Sequence, residues 1–256
     1  MPVTPPEPHF FTAPDGVRLA WRELGAGRPL VLLHGFMSES VTNWIRYGHA
    51  EAVAARGFRV IMLDFRGHGA SDKPHDPAAY PPDILTRDAE ALIAHLGLVD
   101  YDLGGYSLGA RTVSRMLAGG ARPGKVILSG MGLEGLTDVN RRAGHFRHIL
   151  ENLGKHERGS PAWMVEAFLK TTGGDPQALL GIIGSFAGTP IETLRGFDLP
   201  IQVLCGVEDE DNGSASELVA ALPNAVLAEV PGGHMSAVVK PELGEAMARF
   251  LGGDEA

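Results

Sequence analysis

Short apolar runs recur along the chain and alternate with segments of helical periodicity. The runs cover residues 30–33, 58–63, 103–106, 126–128, 201–205 and 226–230. Because polar residues do not alternate within them, these runs predict strands that are buried on both faces, as in a parallel sheet. Apolar spacings of three and four predict helices over residues 44–55, 83–96, 108–117, 216–222 and 241–251. This alternation predicts an α/β fold with a mostly parallel central sheet flanked by helices.

The chain begins with a different pattern. Phe10 and Phe11 precede the turn pair Asp15-Gly16, and an extended apolar segment follows over residues 17–24. Two such segments around an Asp-Gly pair predict a β-hairpin at the start of the chain.

The alternation is interrupted between residues 131 and 195. Helical patterns there cover residues 138–153, 162–171 and 177–186, with a short one near 191–195, and the strand pattern resumes at Leu199. Long insertions in compact domains are usually functional. We therefore expect a core domain of residues 1–130 and 197–256, with residues 131–196 inserted as a helical cap over the site. A peripheral group of helices with no role at the site is the alternative.

Charge and composition narrow the range of partners. The 256 residues include 22 Lys and Arg against 31 Asp and Glu, a formal net charge of −9, which disfavours nucleic acid and anionic membrane surfaces as partners. The single cysteine, Cys205, excludes an intrachain disulfide. The first eleven residues lack Lys and Arg and contain four prolines, unlike a secretory signal, and no apolar run is long enough to span a bilayer. We expect a cytoplasmic protein that acts on a small molecule; the oligomeric state cannot be predicted.

Gly105-Tyr106-Ser107-Leu108-Gly109 has the pattern Gly-x-Ser-x-Gly and lies between a predicted strand and a predicted helix. A nucleophile at such a turn needs strained backbone angles, and small residues on both sides let strand and helix approach closely. A tight turn with an incidental serine is the alternative. The position between strand and helix favours Ser107 as a nucleophile.

A serine hydroxyl needs a general base, and the base needs an orienting carboxylate. His234 follows the last predicted strand, so it is expected at the sheet edge where Ser107 lies. Asp209 belongs to the acidic run of residues 208–211 that follows the strand 201–205, and its spacing from Gly206 favours it. Asp211 is the second choice for the acid, and Glu134 is the third.

At this point the chain resembles the α/β-hydrolase superfamily. The resemblance covers about residues 10–130 and 197–251, and it includes His34-Gly35-Phe36 after a central strand and a D-x-R-G-x-G-x-S turn over residues 64–71. It implies an oxyanion hole made by the backbone N–H groups of Phe36 and Leu108. It also implies that the turn is structural, so Asp64 and His68 are not counted as catalytic.

The resemblance also narrows the chemistry. Members similar to haloalkane dehalogenases and epoxide hydrolases use aspartate where this chain has Ser107, so both activities are disfavoured. The small carboxylesterases and enol-lactonases are most similar, which implies cleavage of an ester or lactone through an acyl-enzyme without a cofactor. A carbon–carbon bond hydrolase acting on a diketone, and a ligand-sensing protein on a hydrolase scaffold, remain alternatives.

Phe36 and Met37, on the oxyanion loop, are the preferred substrate-binding residues. Three other apolar residues are also candidates for the acyl pocket: Trp44, Trp163 and Met164. Trp163 and Met164 could equally belong to the core of the predicted cap. We expect no metal site, because His145, His148 and His156 have spacings that are weak for zinc.

Overall fold

The computed structural model describes residues 4–253, and its centre is one sheet of eight strands in the order β1-β2-β4-β3-β5-β6-β7-β8. The strands are β1 (His9–Thr12), β2 (Arg18–Gly25), β3 (Arg28–Leu33), β4 (Phe58–Asp64), β5 (Asp102–Tyr106), β6 (Val126–Ser129), β7 (Ile201–Gly206) and β8 (Ala225–Val230).

Strands β1 and β2 form the predicted hairpin, and β2 pairs antiparallel with β4. Every later pair, from β4·β3 to β7·β8, is parallel. The predicted α/β class with a mostly parallel sheet is therefore confirmed. Residues 1–3 and 254–256, which the sequence assigns to the core domain, lie outside the described residues.

Helices cover both faces of the sheet. They are α1 (His49–Ala54), α2 (Ile84–His95), α3 (Leu108–Ala118), α4 (Leu133–Thr137), α5 (Asn140–Glu151), α6 (Pro161–Thr172), α7 (Pro176–Gly184), α8 (Ile191–Leu194), α9 (Ala215–Ala221), α10 (His234–Ala237) and α11 (Pro241–Gly252). Apolar residues of α2, α3 and α9 fill one core layer, and those of α1 and α11 fill the other. Within residues 4–253, no helix has the length and apolarity that a membrane span requires.

The helix predicted over residues 44–55 is in fact two pieces. A π-helical turn spans Val41–Ile45, and α1 begins only at His49. Gly48 separates them with φ +81°, a left-handed conformation that glycine adopts readily and that interrupts helical hydrogen bonding. The apolar periodicity correctly predicts helical structure in this segment, but it gives no sign of the interruption at Gly48.

The strand β8 was expected to be buried on both faces, and this was wrong. It has a single neighbour, β7, and lies at the edge of the sheet. Val226 and Leu227 are exposed there. An apolar run predicts a strand, but its burial depends on the strand order.

Helices α4 to α8 lie between β6 and β7, where the insertion was predicted. The sequence pattern missed α4, which has only five residues and contains Gly135. Several apolar residues of this insertion pack around the buried Met37 of the core: Leu150, Leu169, Leu179 and Ile183. The insertion thus contacts the loop that follows β3.

Candidate active site

Ser107 occupies a strained turn between β5 and α3. Its φ of +53° and ψ of −108° are unfavourable for a residue with a side chain. Gly105 and Gly109 make the turn possible: a Cβ on Gly105 would overlap the backbone of Gly109, and a Cβ on Gly109 would overlap the carbonyl of Leu33. The sequence therefore folds into a tight strand–turn–helix that presents the Ser107 hydroxyl at the carboxyl end of the sheet.

The structure brings Ser107, His234 and Asp209 together in one hydrogen-bonded row. His234 Nε2 lies 3.0 Å from Ser107 Oγ, and His234 Nδ1 lies 2.9 Å from Asp209 Oδ2. In the tautomer protonated at Nδ1, the imidazole donates to Asp209 and accepts the Ser107 hydroxyl. The side chains of Asp209 and His234 are 2% and 9% exposed, so little water competes for these bonds. Neither Asp211 nor Glu134 takes this position.

The loop after β3 is held on both sides of Phe36. The Gly35 N–H donates to Asn43 Oδ1 at 2.9 Å, and the Met37 N–H donates to His68 Nε2 at 3.3 Å. The N–H groups of Phe36 and Leu108 have no hydrogen-bond acceptor among residues 4–253. This arrangement leaves both predicted oxyanion donors free to bind a ligand oxygen.

Two buried histidines support this loop in their neutral forms. His34 Nδ1 lies 2.8 Å from the Gly35 carbonyl, and its Nε2 accepts the Phe65 N–H. His68 Nδ1 lies 3.1 Å from the Arg66 carbonyl, so its Nε2 is the acceptor for Met37. Burial lowers the pKa of His34, and burial together with the neighbouring His34 lowers the pKa of His68 well below its ordinary value.

The turn over residues 64–71 has a structural role in this protein. Asp64 is fully buried and accepts the N–H groups of Ser40 and Ala70. Arg66 is also fully buried and forms a bidentate ion pair with Asp88, with N–O distances of 2.7 and 2.6 Å. The Asp64–Ser40 bond thus fixes the end of β4 against the loop after β3, and the Arg66–Asp88 pair fixes the turn against α2, as expected of a structural turn.

The predicted pocket residues have different locations. Phe36 is half-buried, and its ring lies 4.9 Å from that of Phe146 and 6.0 Å from that of Phe186, both in the insertion. Met37 is buried under the insertion. Trp44 was wrong as a pocket candidate, because it is fully buried in the core layer on the α1 side of the sheet.

Trp163 and Met164 do not form the core of the insertion. Trp163 is half-buried and Met164 is 55% exposed. Both lie on α6, whose position cannot be read from the local sequence.

Sequence reasoning missed two residues that position parts of the site: Tyr106 contacts the row, and Asn43 contacts the loop after β3. The Tyr106 hydroxyl donates to the backbone carbonyl of His234 at 2.5 Å, and burial raises its pKa well above the ordinary value, so it stays a donor. Asn43 anchors Gly35, as described above. Tyr106 adjoins the nucleophile in sequence, which was an available signal. No such signal was available for Asn43, because its hydrogen bond to Gly35 forms only when the chain is folded.

The remaining candidates from the sequence are a metal site and the single cysteine. In the part of the chain that the structure describes, no three His, Cys, Asp or Glu side chains form a group that could hold a metal ion. Cys205 is buried, and its thiol contacts the carbonyl of Met131 at 3.4 Å. Burial raises the pKa of Cys205 to about 12, so the thiol stays protonated at neutral pH.

The chain is similar to known proteins over part of its sequence. A family model described as the alpha/beta hydrolase fold matches residues 28–126. A non-heme haloperoxidase from Rhodococcus erythropolis is 37% identical over 123 residues, which cover 47% of this chain and 43% of that protein. An epoxide hydrolase from Caballeronia sordidicola is 37% identical over 101 residues, or 40% of this chain and 30% of that one. The chain thus matches less than half the length of these relatives.

Solved structures match over nearly the whole chain. An esterase from Exiguobacterium antarcticum has a TM-score of 0.76 at 19% identity and covers 96% of this chain and 99% of its own. The enol-lactonase from Burkholderia xenovorans LB400 has a TM-score of 0.75 at 20% identity, with 95% and 99% covered. At these identities the likeness concerns the fold. With the matching family model and the eight-stranded sheet, it shows that the chain has the α/β-hydrolase fold.

Proposed function

We propose that this protein is a serine hydrolase that cleaves a carboxylic ester or lactone of a small molecule through an acyl-enzyme. The observation that carries the proposal is the row Asp209–His234–Ser107, with contacts of 2.9 and 3.0 Å. Such a row lets the imidazole accept the serine proton while the carboxylate fixes its tautomer.

The first half-reaction follows from this geometry. His234 Nε2 takes the hydroxyl proton as Ser107 Oγ attacks the carbonyl carbon, and the carbonyl oxygen becomes an oxyanion. The N–H groups of Phe36 and Leu108 stabilise it, by about 3–4 kcal/mol per donor in comparable sites. His234 then protonates the leaving alkoxide, which departs as an alcohol and leaves the acyl group on Ser107.

The second half-reaction regenerates the enzyme. His234 removes a proton from water, whose oxygen attacks the acyl carbon, and the same two N–H groups bind the new oxyanion. When the intermediate collapses, Ser107 Oγ takes back the proton from His234 and the carboxylic acid is released. Atoms and charges balance with water as the only co-substrate.

The insertion of residues 131–196 would act as the cap of this site. Phe146 and Phe186 reach the Phe36 ring, at 4.9 and 6.0 Å, and Met37 is enclosed by insertion residues. An apolar surface beside the oxyanion donors suits the hydrocarbon part of a small acyl group. Phe36 is the substrate-contacting residue that we propose, and Met37 supports the floor of that surface.

A second activity would use the same acyl-enzyme. One relative is named as a non-heme haloperoxidase. If hydrogen peroxide replaced water in the second half-reaction, its oxygen would attack the acyl carbon, giving a peracid and free Ser107. Peracid formation from acetate ester and peroxide, absent in Ser107→Ala, would identify this activity.

The direct test is a series of p-nitrophenyl esters from acetate to decanoate, with wild type and Ser107→Ala. Fast turnover of short chains that the variant loses is the expected result, and Ser216→Ala is the matched control for a serine outside the row. Equal turnover by Ser107→Ala would overturn the proposal. If folded wild type hydrolyses none of the esters but cleaves a diketone, the carbon–carbon hydrolase is correct. If wild type binds an ester of the series without hydrolysing it, the protein is a ligand sensor.

A further inference from the structure

Arg111 is a buried cation that has no anionic partner in the part of the chain that the structure describes. It lies in α3, one helical turn after Ser107, and is 6% exposed. Its Nε is fully buried and has no hydrogen-bond acceptor, and no carboxylate among residues 4–253 forms an ion pair with it. Arg115, the next arginine of the helix, shows the usual arrangement, since Asp83 binds it at 2.8 and 2.7 Å.

The surroundings of Arg111 form a cleft beside the proposed site. The cleft is lined by Asp83, by residues of α2 and α3, and by the segment after α7, including Leu108 and Phe186. The Arg111 guanidinium lies 5.0 Å from the centre of the Phe186 ring, which in turn contacts Phe36. Leu108, whose N–H is one of the two proposed oxyanion donors, is the lining residue that the cleft shares with the proposed active site.

The nearby charges do not neutralise Arg111. Arg142 repels it, and Asp138 attracts it without reaching ion-pair distance. Arg142 has its own partner, Asp211, at 3.2 Å. Burial, and then Arg142, lowers the pKa of Arg111 to about 10, so the group is still charged at neutral pH. A buried charge without a counter-ion costs stability, and ionisable groups perturbed by burial in a cleft are candidates for functional sites.

We propose that Arg111 binds a carboxylate of the substrate, so that the preferred substrates are esters or lactones carrying a second, ionised carboxyl group. The planar guanidinium can hold a carboxylate through two parallel N–H···O bonds. A long side chain on a helix leans toward the helix N-terminus, which for Arg111 is the Ser107 end. This inference rests on the proposed ester or lactone hydrolysis.

The test compares two esters that differ by one charge, 4-nitrophenyl hydrogen adipate and methyl 4-nitrophenyl adipate. Wild type is expected to favour the anionic ester by about tenfold or more in kcat/KM. Arg111→Gln should bring the ratio of kcat/KM for the anionic ester to kcat/KM for the neutral ester down to about one. Arg111→Lys should retain part of the preference. Arg122→Gln, which removes one exposed positive charge, is the control and should keep all of it. Equal turnover of both esters by wild type, or an unchanged preference in Arg111→Gln, would overturn the inference.

A binding measurement separates this inference from the proposed function. Monomethyl adipate should bind to Ser107→Ala in calorimetry and fail to bind when Arg111→Gln is added. Binding of this kind without ester turnover by wild type would refute the hydrolase and leave the Arg111 site standing. Ester turnover without charge preference would refute the Arg111 site alone.

A stability measurement separates ligand binding from a structural role. Without ligand, Arg111→Met should have an equal or higher Tm, because it removes an unpaired buried charge and keeps an unbranched chain. A fall of more than about 5 °C would show that Arg111 stabilises the fold and would count against the proposal.

Discussion

Arg142 of α5 is bonded to Asp211 in the loop after β7, with 3.2 Å between Nη2 and Oδ2. The N–H of Asp211 in turn donates to Asp209 Oδ1 at 3.2 Å, while the other Asp209 oxygen contacts His234. The inserted helices are thus connected to the loop that orients the proposed base. Two aspartates of the acidic run 208–211 therefore have different partners: Asp209 contacts His234, and Asp211 contacts Arg142 of the insertion.

This division of tasks gives a prediction for the two aspartates. Asp209→Asn should lower kcat by about 10⁴, because an amide cannot favour the tautomer or the charged form of His234 as a carboxylate does. Asp211→Asn should change kcat by less than about tenfold, since Asp211 is 46% exposed and its ion pair is weak. Steady-state ester kinetics measure both. A larger loss in Asp211→Asn would reassign the acid.

The tight turn around Ser107 predicts a large effect of one methyl group. Gly109→Ala should lower the free energy of unfolding by about 3 kcal/mol or more, because the new Cβ would overlap the Leu33 carbonyl and force α3 away from β3. Gly144→Ala is the control: its Cβ would meet no atom within 4 Å, so a helical alanine should be neutral or stabilising by up to about 1 kcal/mol. Urea unfolding of both variants provides the comparison, and similar free energies would refute the steric argument.

Asn43 is predicted to position the oxyanion loop without touching substrate. Asn43→Ala removes the acceptor of the Gly35 N–H, so the neighbouring Phe36 N–H loses its fixed direction. We expect kcat to fall by about 10- to 100-fold while KM changes little. This loss is smaller than the one expected when an oxyanion donor is removed outright. Asn43→Asp keeps an acceptor oxygen and should recover part of kcat. A rise in KM at unchanged kcat would contradict this role.

The buried neutral histidines predict that acid destabilises the protein. Burial holds the pKa values of His34, His49 and His68 below 6.5 in the folded state, so the unfolded chain binds protons first. The free energy of unfolding should therefore fall as pH drops below about 6.5 toward the lower folded pKa values, by up to about 1.4 kcal/mol per pH unit for each group.

His49→Gln isolates one of these groups away from the oxyanion loop, since His49 bonds to the Val238 carbonyl near α11. Urea unfolding at several pH values should give a shallower decline for this variant between pH 6.5 and 5.5. An identical slope in variant and wild type would contradict the assignment of His49 as a buried neutral group.

The sequence was informative wherever function depends on local geometry. Ser107 could be located because glycines on both sides permit only a strand–turn–helix, and His234 because the ends of parallel strands share one edge. The structure brings both residues and Asp209 together, although their catalytic roles stay predictions. Asp209 could be ranked above Asp211 only by its spacing from Gly206.

The remaining features depend on contacts between distant segments. Trp44 is an aromatic residue near the oxyanion loop in sequence, but the path of the chain carries it into the opposite core layer. The exposure of β8 follows from its place in the strand order. The isolation of Arg111 appears only when every neighbouring carboxylate has been located. Local periodicity contains none of this information.

The central claim is that Ser107 becomes covalently acylated, and reaction with a fluorophosphonate tests it most directly. We expect intact-mass measurement to show one adduct per chain, peptide mapping to place it on Ser107, and Ser107→Ala and His234→Ala to lose it or form it far more slowly. Ester hydrolysis that persists in Ser107→Ala, or an adduct on another residue while Ser107 stays unmodified, would contradict the account.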